Sequence, residues 1–409
     1  MKKGWKTKTL EEACQFSNGL WKGEKPPFVK VGVIRNTNFT KEGTLDDSDI
    51  AYLDVEAKKL EKRRLQFGDI ILEKSGGGPK QPVGRVALFD KEDGDFSFSN
   101  FTAALRVLDP DGLDFRFVHK FLHWTYVSGV TEGMQSNSTG IRNLDGDAYK
   151  SIEISFPPLA EQQRIVGLLD EAFEGLATAK ANAEKNLQNA RALFESHLQS
   201  VFTQRGPGWK TTTLGAEIDL LAGFAFKSAQ YTNGDSDIRL LRGDNIIQGC
   251  LRWDDVKRWP ADDTGDYDRY QLEEGDVVLA MDRPWVKAGL KHATISADDL
   301  PCLLVQRTAR LRGGANLDNR FLKLLIGSSA FTAHILGVQT GIGVPHISGQ
   351  QIKDFEFARP PLADQRRIAA NLESLHEETQ RLAHLYERKL AALEALKKSL
   401  LHQAFTGAL

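Results

Sequence analysis

The stretch Pro157-Pro158-Leu159-Ala160-Glu161-Gln162 is the most informative part of the sequence, because it occurs a second time as Pro360-Pro361-Leu362-Ala363-Asp364-Gln365. In both places a run without proline follows, rich in the helix-forming residues Ala, Leu, Glu, Gln and Lys. Proline ends the preceding segment, and an acidic residue in the first helical turn is favoured by the helix dipole. The repeated stretch therefore marks the start of two long helices.

Both runs have the apolar spacing of a coiled coil. From Ala160 to about Phe202, and again from Ala363 to about Phe405, apolar or small residues recur at alternating steps of three and four. Such spacing, sustained over several heptads, is typical of coiled-coil helices. At 1.5 Å per residue, each helix would be roughly 65 Å long. We predict that the two helices pack antiparallel and hold two globular domains apart.

The long helices belong to a larger internal repeat, whose motifs keep their order along the two halves of the chain. Each copy is far longer than the unit of a solenoid, which indicates a duplicated domain pair and not a stacked array. The matching motifs are Gly4-Trp5-Lys6-Thr7 with Gly208-Trp209-Lys210-Thr211, Arg35-Asn36-Thr37-Asn38-Phe39 with Arg242-Gly243-Asp244-Asn245-Ile246, Gly68-Asp69-Ile70-Ile71-Leu72 with Gly275-Asp276-Val277-Val278-Leu279, Thr139-Gly140-Ile141 with Thr340-Gly341-Ile342, and Phe202-Thr203 with Phe405-Thr406.

Ahead of each long helix the sequence indicates an α+β globule. Short strand-like runs such as 28–31 alternate with turn residues and with short helices such as 114–124. We predict two similar α+β domains separated by a long antiparallel two-helix coiled coil, with an intramolecular pseudo-twofold axis. The predicted segments are 1–157 and 205–360 for the two globular domains, 158–204 for the central helix and 361–409 for the C-terminal helix.

Charge and cysteine content narrow the class of protein. Over 409 residues, 53 Lys and Arg oppose 55 Asp and Glu, so the net charge is −2. This excludes a uniformly basic nucleic-acid coat, although a local basic groove remains possible. Cys14, Cys250 and Cys302 are few and far apart, which predicts a reducing, cytoplasmic environment without disulfides. No stretch approaches the roughly 18 apolar residues of a membrane span, and we expect neither a secretory signal nor a membrane partner.

The chain resembles the specificity subunit of type I restriction–modification systems. Besides the duplicated motifs, Leu221-Ala222-Gly223-Phe224-Ala225-Phe226-Lys227-Ser228 is similar to the family's Gly-Phe-Ala-Phe-Lys-Ser motif, whereas the first copy departs from it at Phe16-Ser17-Asn18-Gly19-Leu20-Trp21-Lys22-Gly23. The resemblance implies that each globule is a target recognition domain reading one half of a bipartite, asymmetric DNA site. It also implies that the helices set the spacing and dock two modification (methyltransferase) subunits, which restriction (translocase and endonuclease) subunits join, in a prokaryotic cytoplasm.

The same resemblance implies a non-catalytic DNA-binding subunit, with S-adenosylmethionine, ATP and Mg bound by the partner subunits. The residues agree, because an adenine methyltransferase needs an Asn/Asp-Pro-Pro-Tyr/Phe loop for the flipped base, and Leu159 and Leu362 follow the repeated Pro-Pro pairs here. The glycine run at 75–80 lacks the spacing of a phosphate loop. His119 and His123 lie four residues apart without a third ligand, so we predict surface or packing histidines and no metal site.

Candidate DNA contacts are polar residues near the predicted loops. Lys and Arg contact phosphates, and Arg, Asn, Gln and Lys also reach base edges. Trp285 lies between two basic residues and could pack on a sugar or beside a base. The candidates are Lys22, Lys25, Arg35, Asn36, Asn38, Lys74, Lys80, Gln81, Arg85, Gln135, Asn137 and Arg142 in the first copy, and Lys227, Arg242, Asn245, Arg283, Trp285, Lys287, Lys291, Gln339 and His346 in the second.

The sequence leaves alternatives open for the residues and for the function. Any one candidate is also explained as a solvated loop residue, and Asn36 and Asn245 as turn caps. A DNA-modifying enzyme, or a coiled-coil scaffold that never binds DNA, are the alternatives to a specificity subunit. Methyl transfer by the chain alone would favour the enzyme, and salt-dependent DNA binding by an assembled complex would exclude the scaffold.

Overall fold

The computed structural model describes residues 4–20, 23–78, 81–138, 140–263, 265–341 and 343–409, except the side chains of residues 137 and 138. The chain forms two compact units, each of which is described by itself. Unit 1 comprises residues 1–184 together with 387–409, and unit 2 comprises residues 185–386. Each of the two long helices therefore contributes residues to both units.

Each globular part contains many short strands. In unit 1 they are β1 (Lys6–Thr9), β2 (Cys14–Asn18), β3 (Phe28–Ile34), β4 (Ala51–Glu56), β5 (Ile70–Glu73), β6 (Ser75–Gly77), β7 (Val86–Leu88), β8 (Phe96–Phe98), β9 (Thr102–Val107), β10 (Gln135–Ser138), β11 (Ile141–Leu144) and β12 (Glu153–Phe156). In unit 2 they are β13 (Lys210–Thr213), β14 (Ile218–Ala222), β15 (Ile238–Leu241), β16 (Lys257–Trp259), β17 (Val277–Ala280), β18 (Trp285–Val286), β19 (Gly289–Leu290), β20 (His292–Thr294), β21 (Cys302–Leu304), β22 (Thr308–Gly313) and β23 (Glu356–Arg359).

Most helices are short, apart from the two that the repeated stretch predicts. The α-helices are α1 (Leu10–Ala13), α2 (Ala57–Glu61), α3 (Phe115–Val127), α4 (Gly146–Lys150), α5 (Leu159–Thr203), α6 (Leu214–Glu217), α7 (Asn319–Ile326), α8 (Ser329–Val338), α9 (Gly349–Lys353) and α10 (Leu362–Thr406). Short 3-10 helices cover Asn36–Asn38, Asp47–Asp49, Val130–Met134, Ser228–Gln230, Gly265–Tyr270 and Ala297–Asp299. Asp114 and Asp318 cap the N-termini of α3 and α7 with their carboxylates, the bond that a side-chain oxygen at this position supplies.

The two units share three sheets with the same strand order. The central antiparallel sheet is β2-β9-β5-β7 in unit 1 and β14-β22-β17-β20 in unit 2. The second sheet is β4-β3-β8 or β16-β15-β21, and in both units one of its two pairings is parallel. The third is the pair β1-β12 or β13-β23. The all-apolar runs 70–72 and 277–279 are fully buried in β5 and β17, as continuous apolar strands are expected to be.

We call the three sheets that both units share the frame. The units differ in a fourth sheet, whose first strand lies at the same place in the chain order of both units. In unit 1, β6 lies between β5 and β7 in the chain and joins the hairpin β10-β11 in a three-stranded sheet. In unit 2, the segment between β17 and β20 forms the small hairpin β18-β19 instead. The two copies thus have the same three-sheet frame and differ in the element that is attached to it.

Helices α5 and α10 pack antiparallel in each unit. In unit 1, Ile165 and Leu169 near the start of α5 share the core with Leu401 near the end of α10. In unit 2, Leu198 near the end of α5 packs with Leu372 near the start of α10. The predicted fold class, two similar α+β domains with an antiparallel coiled coil, is confirmed.

Each long helix ends on an aromatic contact in a globular core. The ring of Phe405 lies 5.3 Å from that of Phe117 on α3, and the ring of Phe202 lies 5.4 Å from that of Phe321 on α7. Edge-on and tilted aromatic pairs at this separation add about 0.5–1.5 kcal/mol beyond the area they bury. The Phe-Thr repeat in the sequence therefore marks how the end of α10 joins unit 1 and the end of α5 joins unit 2.

Within the described ranges, no single helix is long and apolar enough to cross a membrane. Helices α7 and α8, which are bent by 59° at the break between them, meet the length and composition criteria only as a pair. Phe321, Leu325, Phe331 and Ile335 of this pair are buried in the core of unit 2, which accounts for their apolar composition.

Candidate nucleic-acid interface

A buried asparagine builds the same turn in both units. The Oδ1 atom of Asn38 accepts from the Arg35 backbone N–H at 2.9 Å, and that of Asn245 accepts from the Arg242 backbone N–H at 3.0 Å. The Asn245 amide also donates to the Arg252 carbonyl at 3.0 Å. Asn38 is 1% exposed and Asn245 is 2% exposed. The prediction that these two side chains contact DNA is wrong in this structure, because a buried amide bonded to backbone cannot reach a base edge.

The arginine of each turn ends in a surface ion pair. Arg35 contacts Asp49 at 2.9 Å and Arg242 contacts Asp255 at 3.0 Å, with both carboxylates largely exposed. Hydrogen bonds from Lys257 and Arg242 lower the pKa of Asp255. Exposed pairs of this kind contribute only about 0–1 kcal/mol. Exchanging the carboxylate for a DNA phosphate would therefore cost little, and both arginines stay predicted contacts.

In unit 1, three candidates meet around the buried carboxylate of Glu73. Arg85 donates to it from Nε at 2.8 Å and from Nη2 at 2.9 Å, and the Asn36 amide donates to it at 3.3 Å. Gln81 lies against the Arg85 guanidinium and, with its side-chain amide turned so that the oxygen faces Arg85, accepts from Nε at 3.1 Å. The guanidinium also donates to the Asn36 carbonyl at 3.0 Å. Arg85 is thus held by partners within the protein, and exposed Gln81 is the candidate that solvent reaches.

We expect Arg85→Ala to lower the free energy of unfolding by about 3 kcal/mol, because it leaves the Glu73 carboxylate buried without its cation. Ala280 ends β17 where Glu73 ends β5. The Glu73 N–H donates to the Arg85 carbonyl and the Ala280 N–H donates to the Lys291 carbonyl, so Lys291 takes the place of Arg85 in unit 2. The double variant Glu73→Ala/Arg85→Lys copies that arrangement and should recover most of the loss in urea unfolding. Unchanged stability of Arg85→Ala would show that the pair is not structural.

The remaining candidates of unit 1 lie along β6 and the hairpin β10-β11 or near α2. The Gln135 amide donates to the carbonyls of Val83 and Thr131 at 3.0 and 3.1 Å, and Arg142 contacts its oxygen at 3.4 Å. Lys74 donates to the Asn18 side chain at 2.9 Å, and burial lowers the pKa of Lys74. Lys25 is exposed beside α2, with its backbone N–H 3.4 Å from Glu56. Predicted contacts that fall outside the description are Lys22, Lys80 and the side chain of Asn137.

In unit 2, the hairpin β18-β19, which we call the variable hairpin, carries exposed basic and aromatic side chains. Arg283, Trp285 and Lys287 are all exposed, and the Trp285 side chain shows 39% of its surface. The Arg283 backbone has a φ of 46° and its N–H donates to the Pro345 carbonyl at 2.6 Å. A non-glycine residue in this left-handed region costs about 1–3 kcal/mol and persists only where its surroundings hold it. The frame therefore holds Arg283 at the base of the hairpin.

Three further candidates lie beside this hairpin. Lys291 follows β19 and its backbone N–H donates to the Pro284 carbonyl at 2.7 Å, while burial lowers the pKa of its ammonium group. His346 forms an isolated antiparallel β-bridge with Asp282. Its Nε2 lies 3.1 Å from the hydroxyl of Thr340, the residue that follows Gln339. Lys227 is exposed on a different loop, before the 3-10 helix Ser228–Gln230. The structure thus gathers most candidates of unit 2 around β18-β19.

One pair of buried glutamines, not among the predicted site residues, joins each globule to its long helix. Gln162 is completely buried on α5; its amide donates to the carbonyls of Pro157 at 2.8 Å and Gly112 at 3.0 Å, and its oxygen accepts from the Asp114 N–H at 2.9 Å. In unit 2 Gln365 makes the same contacts at 2.8 to 2.9 Å with Pro360, Asn316 and Asp318. The repeat itself points to this glutamine, because it is the last residue of the repeated Pro-Pro stretch in both copies.

Comparison with known proteins finds relatives with a similar domain and a similar fold. Residues 2–187 match the model of the type I restriction modification DNA specificity domain. This part of the chain is similar to members of that family. Over its full length the chain has the fold of the HsdS subunit from Thermoanaerobacter tengcongensis, with a TM-score of 0.67, 19% identity and coverage of 100% of this chain and 98% of that one. A structure from a study of type I R-M assembly and conformational transition gives a TM-score of 0.75 at 18% identity, covering 100% and 99%.

Curated relatives of the specificity domain carry the same description. The EcoAI specificity subunit of Escherichia coli is 37% identical over 198 residues, covering 48% of this chain and 32% of that subunit. The MjaVIII subunit of Methanocaldococcus jannaschii is 26% identical over 286 residues, covering 67% and 66%. The StySPI subunit of Salmonella potsdam is 25% identical over 432 residues, covering 99% and 89%. The matches thus span about a third and two thirds of the first two relatives, and the resemblance to type I specificity subunits is confirmed.

Proposed function

We propose that this chain is the DNA sequence-specificity subunit of a type I restriction–modification complex, and that each globular domain reads one half of a bipartite, asymmetric DNA site. One observation carries the proposal: the two units keep three sheets in common and differ in a fourth, where most candidate DNA contacts of unit 2 lie. A shared frame with different polar elements is what two readers of different half-sites require. The recognition domains would be the segments 1–157 and 205–360.

The long helices have two roles in this proposal. Segments 158–204 and 361–409 set the distance between the half-sites and dock two modification subunits, which restriction subunits join. A fixed separation between two readers fixes the spacing of the half-sites that both can bind at once. The chain itself would carry out no reaction; S-adenosylmethionine, ATP and Mg would be bound by the partner subunits, in a prokaryotic cytoplasm.

Exchange of one recognition domain tests the proposal directly. The chain is co-expressed with its modification subunits, and methylated adenines are mapped in DNA exposed to the purified complex. We expect one split, asymmetric sequence. Replacing residues 1–157 by those of a relative should change one half of that sequence and leave the other half and the gap unchanged.

The control is the reciprocal exchange of residues 205–360, which should alter only the other half. A change in both halves or in neither would contradict the assignment of one reader to each half. Salt-independent retention of DNA, or no retention at all, would favour the scaffold, because phosphate contacts weaken steeply with salt. Methyl transfer by the chain without partner subunits would favour the enzyme.

A further inference from the structure

A cavity of about 210 Å³ in unit 1 lies apart from the candidate DNA contacts. Its lining comes from the turn before Gly43, from α3 and from the two long helices, and includes Lys41, His123, Lys180, Lys397 and Lys398. All the residues that line it belong to unit 1. The cavity is therefore formed inside one compact unit, with exposed Lys41 and Lys398 at its mouth and buried His123 at its base.

Positive charge in this cavity exceeds negative charge. Against its four lysines stand Glu42 and Glu394, and Glu394 already pairs with Lys180 at 2.8 Å. Within the part of the chain that the structure describes, no ion pair joins Lys41, Lys397 or Lys398 to a carboxylate. The Lys397 ammonium lies 5.2 Å from the centre of the Phe173 ring, which attracts a cation but does not neutralise it.

The base of the cavity offers a polar atom without a protein partner. His123 is 4% exposed, and its Nε2 has no hydrogen-bond partner among the described residues. The neighbouring ring of His119 is satisfied, since its Nε2 donates to the Gly43 carbonyl at 2.8 Å. Burial, together with nearby positive groups, lowers the pKa of His123 to about 3. The imidazole is thus neutral, and with its proton on Nε2 it can donate one hydrogen bond to a ligand in the cavity.

Unit 2 shows that the packing of the helices does not require these basic residues. Helices α5 and α10 begin at Leu159 and Leu362, so equivalent positions differ by 203. Phe194 takes the place of Lys397, and its ring packs 4.5 Å from that of His376. Counted from the capping residues Asp318 of α7 and Asp114 of α3, Gly327 takes the place of His123, and it lies just after the end of α7. Among the described residues, Lys397 and His123 are thus replaced in unit 2 by Phe194 and Gly327, so this pair of basic groups is not repeated there.

We propose that this cavity of unit 1 binds a small phosphate anion, free or as the terminal phosphate of a nucleotide, through Lys41, Lys397 and His123. Charge-assisted bonds from two lysines and one imidazole N–H suit the several acceptor oxygens of a tetrahedral oxyanion. Burial lowers the pKa of Lys397, with Lys180 and Lys120 opposing its charge and Glu42 and Glu394 favouring it. A bound anion would remove this excess of positive charge and link four elements of unit 1.

Calorimetric titration of the full chain tests the site, with inorganic phosphate in one series and ATP without divalent cations in another, at constant ionic strength. We expect one bound anion per chain. Lys397→Met and Lys41→Met should each raise the Kd by about tenfold, because each removes a charge-assisted contact. Methionine fits against Phe173, and unfolding of both variants in chloride should match that of the original chain.

Lys389→Met is the matched control, since it removes one exposed lysine from the same helix in the same unit. It should leave the Kd unchanged. Tight binding of ATP alone would identify a nucleotide, and equal binding of both ligands would identify the free anion. The proposal would be overturned by the absence of binding in both series, or by an equal loss in Lys389→Met and Lys397→Met. Neither outcome bears on the proposed DNA specificity, which is tested separately.

Discussion

Gln162→Leu is expected to lower the free energy of unfolding by about 4 kcal/mol, the largest loss of stability that we predict for a single side chain. The Gln162 amide is completely buried and satisfies two carbonyls and one backbone N–H. Leucine fills a similar volume but leaves these three backbone groups without partners, and each costs about 1–3 kcal/mol when buried. Urea unfolding followed by circular dichroism measures the loss.

Gln163→Leu is the control, because Gln163 is the next residue on α5 and is exposed. Its effect should stay within about 0.5 kcal/mol. The equivalent variant Gln365→Leu should match Gln162→Leu, since Gln365 makes the same three contacts in unit 2. Equal stability of Gln162→Leu and Gln163→Leu would show that the glutamine does not hold the start of the helix.

The double variant Arg283→Ala/Lys287→Ala should weaken site-specific DNA binding by the assembled complex about 100-fold, because each lost contact costs about 1–3 kcal/mol. Both side chains are exposed at the variable hairpin of unit 2, beside Trp285. The expectation rests on the proposed function. Binding is measured by fluorescence anisotropy over a range of salt concentrations.

The salt dependence separates two kinds of contact in this experiment. A lost phosphate contact lowers the slope of log K against log salt by about one, whereas a lost base contact relaxes the sequence read at one position. Lys58→Ala/Lys62→Ala is the control, because it removes two exposed positive charges from the α2 region of unit 1. If both double variants bind alike, the hairpin is not a DNA contact.

Sequence reasoning found the neighbourhood of the candidate site but not the state of its side chains. Asn38 and Asn245 have the chemistry of base contacts, yet both are buried in turns, which only the packing of the following residues decides. Arg85 was proposed as a contact because it is basic and near a loop, and the structure places it on the buried carboxylate of Glu73. Residue type shows what a side chain can bind, and burial decides what it does bind.

The two long helices, the duplication and the α+β class of each copy could all be predicted from the amino-acid sequence. These follow from periodicity and from repeated motifs, which are local properties of the chain. The helix bounds Leu159–Thr203 and Leu362–Thr406 lie within about one residue of the apolar runs 160–202 and 363–405. Which element differs between the copies could not be predicted, because it depends on tertiary contacts: β6 pairs with β11 more than sixty positions away, whereas β18 pairs with its neighbour β19. Strand pairing depends on contacts between distant segments, and a single sequence does not encode these in any local pattern.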